Sequence, residues 1–511
     1  MKALKHSRLF IVSLAALLAS CGGGSSSPAD SSVSSSSARS SAASTSSVLS
    51  SQPSGDIPDN VTISFWSTGS QGMTTQLQML ATEFESAIKK NLNKTVHVDV
   101  TVEGSYDDIA NKISKGLSVG NVPVMAVAYP DTVANILNQE VDKRYLFDIT
   151  PYMEDSLIGF TKQSYLGDTK QADADDIVAA FFEEGTAYAR EGIYSYPFMK
   201  SSEVMFYKVD AVERAYSFYK PSVIGPENIR KDLLNMNWAE FERLLTCVQQ
   251  NKASIESTLL HAAWYDSDSN WFISQMYQRE IDYTSFVEGK GHIDFETGAN
   301  RTAAEGMLNS FKSLYDDGRI TTKGIENTYG STAFTNGEVL FEISSSGGSG
   351  YNMPEGLEPS EIGCVPVPAA NDNPAYVSQG PTITFLRNPS LTDAENEAQM
   401  FYAWQFAKFL TNPDNNVRLC IRGSEGYLPI RYSAYESADY MEFLEEESIY
   451  SASAKVLINE ISGAYYNAPV FPGSSQLRDA VGNVIAYVLT GEKTANKALT
   501  DAIDYAKTFM N

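Results

Sequence analysis

Apolar and polar positions alternate with two distinct periods after residue 60, and the periods switch in a regular order. Val61-Thr62-Ile63-Ser64-Phe65 reads as a strand, and Met73, Leu77, Leu80, Phe84 and Ile88 then recur at helical spacing. Val96, Val98, Val100 and Val102 repeat every second residue, as a half-buried strand does. Ile109, Ile113 and Leu117 share a helical face before the apolar strand Val122 to Val127. The sum is βαβαβ. Right-handed crossovers make such a sheet parallel, and open α/β sheets gather ligands beyond the carboxyl ends of their strands. That rule singles out three loops, 66–72, 103–107 and 129–131, whose Gly, Ser, Pro and Asp content equally fits ordinary turns and helix caps.

Farther along, Trp238 to Gln250 has helical periodicity, and Ile320 to Thr328 leads into a strand at Val339-Leu340-Phe341-Glu342-Ile343. The Ser/Gly tract from Ser344 to Gly350 follows, and its backbone N–H groups suit a polar ligand or a plain surface loop. Thr392-Asp393-Ala394-Glu395 is a capping box that opens a helix carrying Ala403, Trp404, Ala407 and Leu410 and stopping before Pro413. Ala498, Leu499, Ala502, Ile503 and Ala506 mark an amphipathic last helix. These elements predict an α/β chain with a second lobe.

The first 56 residues follow another pattern. Lys2, Lys5 and Arg8 precede an apolar run from Leu9 to Leu18, too short for a permanent bilayer span, and Leu18-Ala19-Ser20-Cys21 ends it. This is the pattern of a lipoprotein signal, with residues 1–20 removed and Cys21 lipidated as the first mature residue. Ser25 to Ser54 is rich in Ser and Ala and nearly uncharged, so it cannot bury enough surface to offset its ordering entropy. Residues 21–56 are therefore expected to be a leash reaching on the order of 30 Å from a membrane surface.

Composition narrows the function. The chain carries a formal charge of −25, and loss of Lys2, Lys5 and Arg8 makes it −28, which disfavours nucleic acid and anionic lipid headgroups. Cys247, Cys364 and Cys420 have no metal-type spacing, and one disulfide plus a thiol or three reduced thiols fit equally. GxSxG, HExxH and phosphate-loop motifs are absent, and His97, His261 and His292 lack ligand spacing, so neither a metal nor a cofactor is expected. Abundant carboxylates leave a glycoside-hydrolysing pair as the alternative reading. Aromatic residues make up 11% of the chain, and His261-Ala262-Ala263-Trp264-Tyr265 with Trp271 places flat faces near the polar stretch 266–270, a combination suited to sugar rings.

Several ordered segments carry a resemblance: Ile63-Ser64-Phe65-Trp66, then Tyr196-Pro197-Phe198-Met199-Lys200-Ser201-Ser202 leading to Phe206-Tyr207-Lys208, then Phe334-Thr335-Asn336-Gly337-Glu338. Phe409-Leu410-Thr411-Asn412-Pro413, Glu425-Gly426-Tyr427-Leu428-Pro429-Ile430 and Leu489-Thr490-Gly491-Glu492 continue it. In this order they resemble the family 1 extracellular solute-binding lipoproteins of ABC importers, which serve sugars, oligosaccharides and glycerol-3-phosphate. The resemblance implies a two-lobed fold of the periplasmic-binding-protein type II, closing on ligand in a cleft between hinged lobes. Residues 57–200 and 361–424 would form the first lobe, and 201–360 and 425–511 the second. It further implies a non-enzymatic, extracytoplasmic monomer, anchored through Cys21, that passes a small solute to permease subunits.

Matched to the glycerol-3-phosphate branch of the family, cleft contacts would come from Trp66, Tyr106, Ser201, Trp264, Ser346, Gly380, Tyr427 and Arg478. An arginine near Arg478 helps hold phosphate there, and a guanidinium fork suits such an oxyanion. Where that branch carries a cleft carboxylate after a Tyr, this chain has Tyr129-Pro130-Asp131, so Asp131 takes that place one position along. A neutral mono- or oligosaccharide is accordingly expected ahead of a polyol phosphate.

Overall fold

A computed structural model describes residues 57–139, 145–155, 157–160, 174–371, 373–424 and 426–510. The signal, Cys21 and leash readings, together with Glu425, lie outside them. The N-terminal periodicities form what their spacing predicts. Strand Val61–Ser67 pairs in parallel with Val96–Val102 on one side and Met125–Ala128 on the other. Helix Gln71–Leu92 buries Met73, Leu77, Leu80, Phe84 and Ile88 on one face, and Tyr106–Gly116 buries Ile109 and Ile113. Ser70 and Ser105 cap these helices by accepting from the backbone N–H groups of Met73 and Asp108.

Two further strands complete this first sheet from far along the chain. Thr382–Phe385 runs antiparallel to Met125–Ala128 and also to Ser195–Pro197, giving a five-stranded order with Val96–Val102 at one edge and Ser195–Pro197 at the other. The predicted capping box is present: Thr392 and Glu395 exchange side-chain and backbone hydrogen bonds at the head of helix Asp393–Leu410. Pro413 starts the next helix, Pro413–Arg422, instead of interrupting this one.

The second sheet is also five-stranded. Val339–Ser345 lies at its centre, parallel to His261–Tyr265, which pairs onward with Ile320–Thr322, and antiparallel to Glu203–Lys208, which pairs with Ile362–Pro366. Helices Asp268–Gln278 and Gly298–Asp316 pack on this sheet, the first through Trp271 stacked on Tyr265, and Ser474–Leu489 packs against both of them, with the last helix, Ala495–Lys507, beside it. The sequence division places residues from 361 with the first lobe. Strand Ile362–Pro366 pairs within the second sheet, and the chain rejoins the first at Thr382–Phe385. Cys247, Cys364 and Cys420 are unpaired thiols.

Three passages connect the sheets, and they bond to one another. Ser201 and Gln379 exchange backbone hydrogen bonds of 3.0 Å each way, and Lys200 and Leu428 do so at 3.1 and 2.6 Å. Beneath them the fully buried ammonium of Lys200 donates to the carboxylate of Glu184 and, at 3.3 Å, to the carbonyl of Gly380. Gly380 has φ of 101°, and a Cβ on it would collide with the carbonyl of Met199. Only glycine lets the passages approach this closely.

Gly380→Ala is therefore expected to lower unfolding free energy by about 1–3 kcal/mol from backbone strain alone, with the collision adding to it. Urea denaturation followed by circular dichroism measures this, and a change below 0.5 kcal/mol, read as about the noise of a surface substitution, contradicts it.

Candidate functional site

A cavity of about 1030 Å³ opens between the two sheets, walled by the loops that leave their strands and floored by the chain passages. The loop after Met125–Ala128 supplies Tyr129 and Pro130, and the proline starts helix Pro130–Gln139 with Asp131 in its first turn, where the helix dipole favours a carboxylate. Asp131 Oδ1 accepts a 2.9 Å hydrogen bond from Ser474 Oγ. Ser474 opens helix Ser474–Leu489, which packs against the helices that cover the second sheet, so this bond joins the two walls of the cavity. Burial raises the Asp131 pKa, and Arg478 and Ser474 oppose the rise.

One turn farther along the same helix, Arg478 Nη2 donates to Asn270 Oδ1. Asn270 Nδ2 donates to Glu203 Oε1 at 3.0 Å, and the other Glu203 oxygen accepts from Tyr265 at 2.6 Å. Arg478, Asn270 and Glu203 all line the cavity, so the guanidinium heads a hydrogen-bonded relay instead of standing alone. Burial pushes the Glu203 carboxyl up to about 7, against the pull of Tyr265, Asn270 and Arg478. Deeper still, Asp266 and Glu342 face each other, and burial together with the Asp266 charge pushes the Glu342 carboxyl well above the usual carboxylate range.

The structure brings five of the predicted residues into the cavity wall: Asp131, Ser201, Gly380, Tyr427 and Arg478. Four others stand elsewhere. Tyr106 lies just behind the wall, 4.5 Å from the ring of Tyr129 by centroids and hydrogen-bonded through its hydroxyl to Tyr427. Ser346 is fully buried and donates its N–H to the carbonyl of Ser202, while its neighbours Ser345, Gly347 and Gly348 line the cavity. Trp66 is half-buried against the first core. Trp264 is 6% exposed on an interior strand, with Gly330 packed so closely on its indole that a Cβ would collide. It braces the wall from behind.

Glu203, Asp266, Asn270 and Asp479 also face the cavity and were not among the expected residues. Glu203 carried a legible signal: a carboxylate leading the apolar run Val204-Met205-Phe206 is a charge entering a core, which needs a reason. For Asn270 and Asp479 nothing local distinguishes them from solvated helix residues.

Two outcomes follow from these placements. Trp264→Ala is expected to destabilise the fold by about 3–5 kcal/mol, as removal of a buried large ring does, and a variant melting like the parent contradicts this. Glu203 is protonated more readily in the folded chain, so its contribution is complete below about pH 4.5, its unfolded value, and is lost as pH rises through about 7. Across that window the stability of the parent relative to Glu203→Gln should fall by about 3 kcal/mol, and a flat difference in denaturation midpoints between the two ends counts against it.

Comparison with known proteins bears on this arrangement. The model for bacterial extracellular solute-binding proteins matches residues 80–443. The sn-glycerol-3-phosphate-binding periplasmic protein of Salmonella typhimurium is 19% identical over 455 residues, which are 87% of this chain and 91% of that one. Among solved structures, the sugar-binding protein MalE of Xanthomonas citri superposes with a TM-score of 0.63 at 16% identity, covering 87% of this chain and 96% of that one. The GacH receptor of Streptomyces glaucescens, solved free and with acarbose, gives 0.62 at 16% identity over 88% and 98% of the two chains. A glycerophosphocholine complex of UgpB from Mycobacterium tuberculosis gives 0.60 at 17% over 87% and 97%. The fold is thus the two-domain one of periplasmic sugar-binding proteins, as the resemblance implied. With most of its length matched by the family model and a cavity set between two bonded sheets, the chain belongs to the bacterial extracellular solute-binding proteins.

Proposed function

We propose that this protein is the capture component of an ABC importer, taking up a carbohydrate or a polyol phosphate outside the cytoplasm and handing it unaltered to permease subunits. The observation that carries the reading is the cavity itself: its volume of about 1030 Å³ stands at the upper end of small-molecule sites and has room for more than one sugar ring. Its walls mix hydroxyl, carboxyl and tyrosine side chains, the chemistry that reads sugar hydroxyls and ring faces. Family membership, and relatives named for glycerol-3-phosphate, acarbose and glycerophosphocholine, support the same reading.

Closure works by population shift. A ligand that touches both walls only when they are together stabilises the closed state by that differential affinity. The Asp131 to Ser474 bond is the kind of contact a closed state holds. We place the lobe passages at residues 198–202, 378–381 and 426–430, with lipidation at Cys21 tethering a monomer to the membrane. Trp66, Tyr106, Trp264 and Ser346 support the wall in this reading, and Asp131, Ser201, Gly380, Tyr427 and Arg478 meet ligand.

Thermal melting of the protein against mono- to tetrasaccharides and glycerophosphodiesters tests this. The cognate class at 100 times its dissociation constant should add about 2.7 kcal/mol of stability. No shift across the whole panel overturns the proposal, and turnover of a bound oligosaccharide overturns its non-catalytic part.

A further inference from the structure

Charge is distributed unevenly around the cavity. Six carboxyl side chains line it, from Asp107, Asp131, Glu184, Glu203, Asp266 and Asp479, against the two cationic ones of Lys323 and Arg478. Both cations are engaged: Arg478 donates to Asn270, and the Lys323 ammonium stands 3.6 Å over the ring of Tyr329. Among the described residues, Glu184 is the one of these six with an ion-pair partner, Lys200. A phosphate entering here would meet a field of its own sign, whereas a cation would be drawn in.

The acidic side chains are not spread evenly either. Glu203 stands opposite Ser345 at the end of the central strand of the second sheet, and Asp266 bonds through its N–H to the carbonyl of Ile343 on that strand. Two carboxyl groups therefore flank one strand end. Ser344 lies between them, giving its proton to Glu342 at 2.6 Å and accepting from Asn352 Nδ2 at 3.2 Å. Those bonds point the donors away from the cavity. Asn352 lines the cavity, is 1% exposed, and its Oδ1 has no hydrogen-bond partner among the described residues. Ser378, 8% exposed on the passage opposite, has an Oγ without a partner among the described residues, a hydroxyl able to donate or accept.

A buried acceptor without a donor is costly unless a ligand supplies one. Hydroxyl groups both give and take, so a neutral sugar leaves part of this excess unmet. A protonated amine carries three donors, no acceptor and the opposite charge. On the proposed carbohydrate-capture reading, we propose that the strand end bounded by Glu203, Asp266 and Asn352 is a subsite for the protonated amino group of an amine-bearing saccharide. Arg478, which lines the same cavity, then also keeps Asn270 and Glu203 in place through its bond to Asn270.

Calorimetry of the full chain against matched sets separates this from the broader reading. Each set holds one mono- to tetrasaccharide in aminated, N-acetylated and hydroxyl forms, with glycerol-3-phosphate alongside. The aminated member should bind at least about tenfold tighter than its partners, the worth of one charge-assisted hydrogen bond over a neutral one. Asp266→Asn, which keeps the acceptor for the Gly330 N–H, should bring the forms within about twofold. Asn352→Leu gives the same convergence by a second route, and ligand-free melting of both variants shows whether they fold. Neutral or phosphorylated ligands binding as tightly as the amine overturn this inference and leave the capture reading intact. Absence of binding by every saccharide and by glycerol-3-phosphate overturns both.

Discussion

The bonded crossing of three chain passages beneath the cavity is the constraint on which the molecule depends. Two five-stranded sheets are joined at the cavity floor by residues 198–202, 378–381 and 426–430, whose backbones hydrogen-bond to one another. Packing at that crossing is tight enough to require Gly380 at positive φ and to bury an ammonium. Burying Lys200 is tolerable only because Glu184 and the Gly380 carbonyl receive its protons, since an isolated buried charge costs several kcal/mol. The same pair helps define the cavity, because Glu184 lines it. Hinge geometry and site electrostatics are therefore one arrangement.

Much of the first sheet was legible in the sequence because its strands and helices alternate along the chain, and a period of two or of 3.6 is local information. Met73 through Ile88 and Val96 through Val102 illustrate this. Its remaining strands were not legible. Ser195–Pro197 and Thr382–Phe385 are three and four residues long and find their partners from distant parts of the chain, which no window of sequence displays. The same limit governs Ile362–Pro366, whose allegiance to the second sheet follows from pairing with Glu203–Lys208 and not from its own composition.

Legibility of the site divides along the same line. Asp131 was found by a topological rule, that ligands collect beyond strand ends, and Ser201, Gly380, Tyr427 and Arg478 by resemblance. Trp264 shows why residue type alone misleads. Its strand is paired along both edges, and the indole packs under Gly330 and is not one of the side chains lining the cavity. Its chemistry suits a sugar ring, but its neighbours decide what it touches. Glu203 is the converse, a charge at the edge of an apolar run that earns its burial through Tyr265 and Asn270.

Arg478 brings these strands of argument together. It is not a lone guanidinium, being bonded to Asn270 and set among carboxylates. The helix that carries it also carries Ser474, which reaches Asp131 across the cavity, so one element bridges the walls and places the cation among carboxylates. Each of those carboxylates is raised in pKa by burial and relieved by the guanidinium, as Asp131, Glu203 and Asp479 all are. Without Arg478 the like charges would repel one another across a few side chains of low-dielectric space. The cation thus offsets the carboxylates of its own wall, which binds the electrostatics of the site to the helix that carries Arg478 and Ser474.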